Sequence, residues 1–348
     1  MRRGLISRSL VELPDAVLDA RLARLRAAMS AAKLDTVLVY TNNTRPAAVS
    51  WLTGFVPYWS EAMLVVPKTG PTSFVVALTF RVKPWIERTS RVGQVIHTPL
   101  IGVESARIVA RAKDDAVVGM VDFDQLSVGI ADDLAENGPH LTLSDASDLF
   151  ATVRETADPT EIMLANRAAA IAEAALAHPT TRGLGIRGIV GAIEGEARRH
   201  GAEEVYMAAA PDLSRDSRFV RIEDDVAIGP RFAIRVSVAY KGVWIRRIVT
   251  FGPDGPLDVN TLAPAFAAAV ADLPNSRGFA PFASYLVEGC RTGQPLEALM
   301  GSRIKDAHAP RGIVSVQAAT TMDGLPVVLG APALVGAAGE AASLLTGV

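Results

Sequence analysis

Arg235 and Arg246 stand in one short stretch, RFAIRVSVAYKGVWIRRIVTF, at positions 231–251. A guanidinium stays charged, offers a rigid fork of donors and matches a carboxylate or phosphate edge to edge. Two of them on one face would need an anionic partner: a nearby Asp or Glu, a bound ligand or another protein. Phe232, Ile234, Val236, Val238 and Tyr240 alternate with smaller or polar residues, which is the signature of a half-buried strand. Lys241-Gly242 fits a two-residue turn. That turn pairs Tyr240 with Val243, Ala239 with Trp244 and Ser237 with Arg246. Arg235 then lies one diagonal step from Arg246, within reach of long side chains. Ile234, Val236, Val238, Val243, Ile245 and Val249 form the opposite, core-packing face. Arg235, Ser237, Trp244 and Arg246 are therefore the residues that could line a pocket. A slip of one residue would reverse the two faces. Arg247 falls on the apolar face and must reach an edge or a carboxylate.

Other reactive side chains are weaker candidates. Cys290 is the single cysteine. Arg291 could lower its pKa, but a nucleophile would also need a base such as His308, which sequence cannot place beside it. His97, His140, His178, His200 and His308 show no ligand spacing, and His200 ends a helix, where a histidine favours the negative end of the dipole. Asp122 and Asp124 are expected to shape a strand end. Arg2, Arg3 and Arg8 read as a solvated tail.

The elements that must position these residues fall in two halves. Asp15 to Ala31 is amphipathic, with Leu18, Leu22, Leu25 and Met29 in one stripe and Arg21, Arg24 and Arg26 off it. Strands are expected at Thr36–Tyr40, Ala62–Val66, Ser73–Leu78 and Ala116–Val121, with a helix at Leu126–Leu134. This alternation predicts an α/β domain over residues 1–152. Asp158-Pro159-Thr160-Glu161 opens a helix to Ala177, with Asp158 and Glu161 as a capping box. A second helix covers Ile186–Arg199 and stops at Gly201, and a third lies near Leu262–Leu273. Strands are expected at Glu204–Ala209, Phe219–Ile222, Ile313–Val316 and Pro326–Leu329, together with the hairpin. Residues 153–348 thus read as α+β with an antiparallel sheet.

The 348 residues are 49% hydrophobic and 21% charged, enough apolar material for two cores. A net charge of −2 argues against a general nucleic-acid binder. One cysteine excludes an intramolecular disulfide and a Cys₄ or Cys₂His₂ zinc site. No stretch reads as a membrane span or a signal peptide, and a cytoplasmic location is expected.

Three segments in order carry a resemblance. RLARLRAAM, LDTVLVYT and WLTGF resemble the first domain of the creatinase/prolidase/aminopeptidase P family. VRETADPTEIMLANRAAAIAEAAL resembles the lead-in to its pita-bread domain, and the hairpin with YKG at its turn resembles its first metal-binding strand pair. The resemblance implies that fold, in shortened form. In active members two metal ions are held by two aspartates on this hairpin, a histidine and two glutamates near the C-terminus. Matching Gly242 to the family's turn glycine puts the aspartate positions at Arg235 and Arg246. GIVSVQAATT resembles the strand with one glutamate, matched by Gln317 or Ala318, and the second glutamate position falls near Gly330. No GHG-like segment lies between Pro281 and Gly301, and Arg218 lies near the place of a further catalytic histidine. A guanidinium cannot replace such a ligand. At about 4 Å and an effective dielectric of 20, two unit charges repel by roughly 4 kcal/mol, and a dication by about twice that.

The expectation is a metal-free, cofactor-free, non-catalytic homologue with a candidate pocket of Arg218, Arg235, Ser237, Trp244, Arg246 and Gln317. It would bind an anionic small molecule or act as a subunit. The resemblance implies a homodimer, and a heteromer with a related active subunit is a further form. The competing readings are a metal-independent hydrolase of a C–N bond in an acidic substrate, with the arginines as electrostatic clamps, and an Xaa-Pro metallopeptidase.

Overall fold

The computed structural model describes residues 9–43, 46–56, 60–177, 183–273, 282, 284–289, 302–303, 311–337 and 340–347. Cys290, His178 and His308 lie outside them. The chain divides into two units, Met1–Glu155 and Thr156–Val348.

In the first unit the apolar stripe makes α1 (Asp15–Ala31). Arg21 departs from the expectation, since it is buried with Leu18, Leu25 and Met29. Its Nη1 donates to the Trp51 carbonyl at 3.0 Å, and its guanidinium lies 5.2 Å from the indole centroid, so the cation is held by a carbonyl and a ring face. There follow β1 (Thr36–Thr41), α2 (Ala47–Thr53), β2 (Ala62–Pro67), β3 (Ser73–Val76), α3 (Lys83–Thr89) and β4 (Gln94–His97). Then come α4 (Ile101–Ala112), β5 (Val117–Val121), α5 (Val128–Asn137), β6 (Thr142–Asp145) and α6 (Ser147–Glu155). The six-stranded sheet has the order β4-β3-β2-β1-β5-β6. β1 runs parallel to β5 and antiparallel to β2. It is buried along its whole length, which is why TVLVYT reads as a nearly continuous apolar run. WLTGF belongs to α2 and its end, where Gly54 takes the left-handed conformation that closes the helix. α6 runs to Glu155, so a break after Thr152 would fall inside its last turn.

The second unit opens with α7 (Pro159–Ala177), and its capping box forms. The Asp158 Oδ1 accepts from the Glu161 amide at 2.8 Å, and the Glu161 Oε2 accepts from the Asp158 amide at 3.2 Å. α8 (Ile186–Arg199) ends at Gly201, whose φ is +100°. The sheet follows with β7 (Glu204–Ala210), β8 (Phe232–Tyr240), β9 (Val243–Gly252) and β10 (Gly255–Pro256). After α9 (Ala263–Ala271) come β11 (Ser284–Gly289), β12 (Ser302–Arg303), β13 (Ile313–Met322), β14 (Leu325–Leu334) and β15 (Ser343–Leu344). The main path is β12-β11-β13-β14-β9-β8-β7, with β10 on β9 and β15 on β14. One face packs on the helices: Ile171, Ile189 and Ile193 meet Ile234, Val236, Val238 and Ile245. Phe266 and Val270 of α9 meet Val316, Val327 and Leu329. Among the described residues no helix is long and apolar enough to cross a membrane.

The strand expected at Phe219–Ile222 is a loop with a single bridge, Ala209 to Val220. Aspartates turn the chain there. Asp212 accepts from the Ser214 amide at 3.0 Å and Asp216 from the Arg218 amide at 2.9 Å, each two residues on.

Beside the hairpin turn Glu203 holds Lys241 at 3.2 Å. Burial pushes the Glu203 carboxyl up, against the opposing pull of Lys241. Its folded pKa therefore lies above the unfolded value. The stability it contributes is complete below that unfolded value and is lost as pH rises through the folded one. In urea titrations the wild type is expected to gain on Glu203→Gln as pH is lowered from 7 towards 4. A gain in the opposite direction would contradict this assignment.

Candidate functional site

The hairpin forms in the expected register. Tyr240 pairs with Val243, Ala239 with Trp244 and Ser237 with Arg246. Lys241 and Gly242 have φ of +48° and +77°, the two left-handed residues that a tight hairpin turn uses. Arg235 pairs with Ile248, one step along the same face from Ser237 and Arg246. This face is turned away from α7 and α8. β7 extends it, since Tyr206 pairs with Ser237 and Ala208 with Arg235.

Arg246 is buried, and its Nε donates to the Ser237 Oγ at 3.3 Å. Arg235 is half-buried, with its guanidinium 5.1 Å from the centroid of Phe219. Phe219 comes from the loop after β7, which with Leu213 packs over Ala210, Ala233, Ile248 and Val328. Trp244 is buried, and its ring lies 5.3 Å from that of Tyr206. The Tyr206 hydroxyl donates to the Glu204 Oε2 at 3.2 Å. Glu204, Tyr206, Phe219 and Ile248 are site residues that sequence reasoning missed. The alternation of EVYM would have placed the first two once the partner of β7 was known, but nothing in the sequence marks Phe219.

Gln317 shares this face in a remote part. It pairs with Gly330, which pairs with Ile248, which pairs with Arg235. Three strand spacings, about 14 Å, separate the strands of Gln317 and Arg235. Gly330 to Ile248 is the one paired position between β14 and β9. Thr250 supports that seam, donating through Oγ1 to the Val328 carbonyl at 2.7 Å and accepting from its amide at 2.9 Å.

Arg218 does not join the face. It is exposed in the loop and forks onto Asp216, with Nη2 to Oδ2 at 2.7 Å. The pair holds the Asp216 carboxyl below its ordinary value and the Arg218 guanidinium above. Both line a surface groove of about 310 Å³ with Asp212 and Arg215, within the loop itself. Arg247 lies on the helix-packed face as expected. Its Nη1 donates to the Thr346 Oγ1 at 2.5 Å and to the Gly347 carbonyl. Burial lowers its pKa, and Glu173 opposes this.

The charge content of five strands of the sheet is one-sided. Across β7, β8, β9, β13 and β14 the single carboxylate is Glu204, against three arginines, Arg235, Arg246 and Arg247. Among the described residues no three His, Cys, Asp or Glu side chains converge as a metal site would require.

Residues 21–156 match the family model of the creatinase/prolidase N-terminal domain. The match spans 136 of the 348 residues and falls almost wholly within the first unit. Solved structures give the same fold over nearly the whole length. An X-Pro aminopeptidase from Thermotoga maritima is 13% identical with a TM-score of 0.71, covering 94% of this chain and 97% of its own. The prolidase from Pyrococcus furiosus is 16% identical with a TM-score of 0.65, covering 94% and 99%. The N-terminal domain of the FACT complex subunit SPT16 from chickpea, Cicer arietinum, is 13% identical with a TM-score of 0.63, covering 95% and 96%. At such identities the likeness is one of fold. No curated protein sequence matches the chain. The second unit has the pita-bread fold of these solved structures, and the arginine hairpin lies next to the edge strand β7 of its sheet.

Proposed function

We propose that this chain is a metal-free, non-catalytic member of the creatinase/prolidase family whose arginine face holds an anion. The observation that carries the reading is the placement of Arg235 and Arg246 on one face, one diagonal step apart, where β7, β8, β9, β13 and β14 carry Glu204 as their single carboxylate. A hard divalent cation needs several oxygen or imidazole ligands. These residues supply permanent positive charge instead, so they do not fit a dication. They fit a carboxylate or phosphate, which a guanidinium holds by charge-assisted hydrogen bonds.

The reading has two forms. The anion is either a small molecule or an acidic group of another subunit, within a homodimer or a heteromer with a related active chain. The chickpea protein of this fold carries the description of a complex subunit. A cytoplasmic location accords with the lone cysteine. The metal-independent hydrolase reading is less well supported. Glu204 is the one carboxylate on β7, β8, β9, β13 and β14 and accepts a hydrogen bond from Tyr206, and no histidine stands on these strands.

The test is direct. The protein is titrated with Mn²⁺ by calorimetry and assayed on a Xaa-Pro dipeptide with Mn²⁺ present. Neither binding at this face nor turnover is expected. Chelator-sensitive cleavage of the dipeptide would overturn the proposal.

A further inference from the structure

The row Arg235–Ile248–Gly330–Gln317 crosses the sheet and includes Arg235, Gln317 and Gly330, at or near positions that the family resemblance gives to metal ligands, with the apolar side chain of Ile248 between them. A Cβ placed on Gly330 would lie 2.8 Å from the Ile248 Cβ and 2.9 Å from its Cγ1 and Cδ1. Carbon atoms in contact settle at about 3.5–4.0 Å. The nearest atom is the Ile248 Cβ, which moves only with its backbone, so rotating the side chain gives no relief. Isoleucine in a strand is also stiff at χ1. Ile248 packs with Ala210, Leu213, Ala233 and Val328, with Phe219 packed against the group. The backbone of Gly330 is not in the left-handed region, so its conformation is open to any residue and only space forbids one.

We infer that Ile248 closes this part of the face by volume, and that Gly330 and Ile248 are a coupled pair in which one must be glycine while the other is large. The inference deepens the metal-free reading, on which it rests for its functional meaning. Charge alone does not account for the lost site, because no carboxylate-bearing residue fits at position 330 while Ile248 remains. The residues that pack with Ile248 (Ala210, Leu213, Ala233 and Val328) are apolar and offer no ligand atom from a side chain.

The experiment is a double-mutant cycle on the full chain, read by thermal unfolding. Gly330→Ala is expected to lower the midpoint by roughly 2–12 °C, as overpacking does in a domain of this size. Ile248→Ala is expected to lower it by roughly 4–20 °C. The double variant should melt above Ile248→Ala alone, because the new methyl enters the vacated space. Strict additivity of the two shifts, or a Gly330→Ala variant as stable as the wild type, would overturn the inference. Should a single variant fail to fold, recovery of folded protein in the double variant supports coupling, and no recovery counts against it. The Mn²⁺ titration of the wild type addresses the metal-free reading separately. Binding there with a coupled cycle would sink the reading and leave the steric pair standing.

Discussion

Truncating Phe232 to alanine is expected to destabilise the second unit by about 3–5 kcal/mol, lowering its unfolding midpoint by roughly 6–20 °C. Phe232 is fully buried and stacks on Phe251 with ring centroids 5.2 Å apart and planes 13° apart. The two residues are direct partners at the open end of the hairpin, and both belong to the core formed with α7 and α8. Deletion of the ring removes its transfer free energy and leaves a cavity. It also loses the stacked pair, since aromatic pairs contribute about 0.5–1.5 kcal/mol beyond area. Phe232→Leu keeps most of the volume and is expected to cost less than half as much. The measurement is urea unfolding followed by tryptophan fluorescence, because Trp244 lies in the same hairpin. A Phe232→Ala variant within about 1 kcal/mol of the wild type would mean that the hairpin is not held by this pair.

The hairpin was legible in sequence for a physical reason. Period-two alternation on the first arm and a glycine turn of fixed length give a register that buries Ile234, Val236, Val238 and Ile245 together. The capping box at Asp158 and Glu161 was legible on the same terms, as side-chain chemistry acting across three residues. What escaped was long-range or loop-borne. Arg21 looks like a solvent-facing cation, yet it is buried because Trp51, on a separate helix, offers it a carbonyl and a ring face. Arg218 looks like a pocket residue by its place before the hairpin, yet the turn at Asp216 keeps it in the surface loop.

Gln317 illustrates the remaining gap between alternation and position. Alternation puts it on the correct face once β13 pairs with β14, but not at a given distance from the arginines. The order of strands decides that distance, and β14 and β9 intervene. Strand order depends on contacts between distant segments, which no local pattern encodes. The Ile248–Gly330 packing has the same origin: each residue is unremarked in its own strand, and the constraint exists only where the two strands meet.

On the proposed reading, Arg246→Ala and Arg235→Ala are each expected to weaken anion binding by roughly 10- to 150-fold, the worth of one charge-assisted hydrogen bond. The probes are succinate and inorganic phosphate, titrated by calorimetry. The two arginines sit one diagonal step apart on a shared face, so one anion can reach both. Their effects should therefore be non-additive, with the double variant losing less than the product of the single losses. Arg218→Ala is the control. Its guanidinium is exposed and committed to Asp216, and binding should be unchanged. The pH profile separates ligand from protein. Guanidinium groups keep their charge up to about pH 10, so succinate binding should be flat between about pH 6.5 and 10. Phosphate should bind more tightly as it becomes a dianion near neutral pH. A loss in Arg218→Ala equal to that in Arg246→Ala would place the effect in general surface charge and remove the arginine face from the proposal. Failure of the wild type to bind either probe would reject the small-anion form. The acidic group would then have to come from another chain, and native mass spectrometry of wild type against Arg246→Ala would read it as loss of a bound subunit.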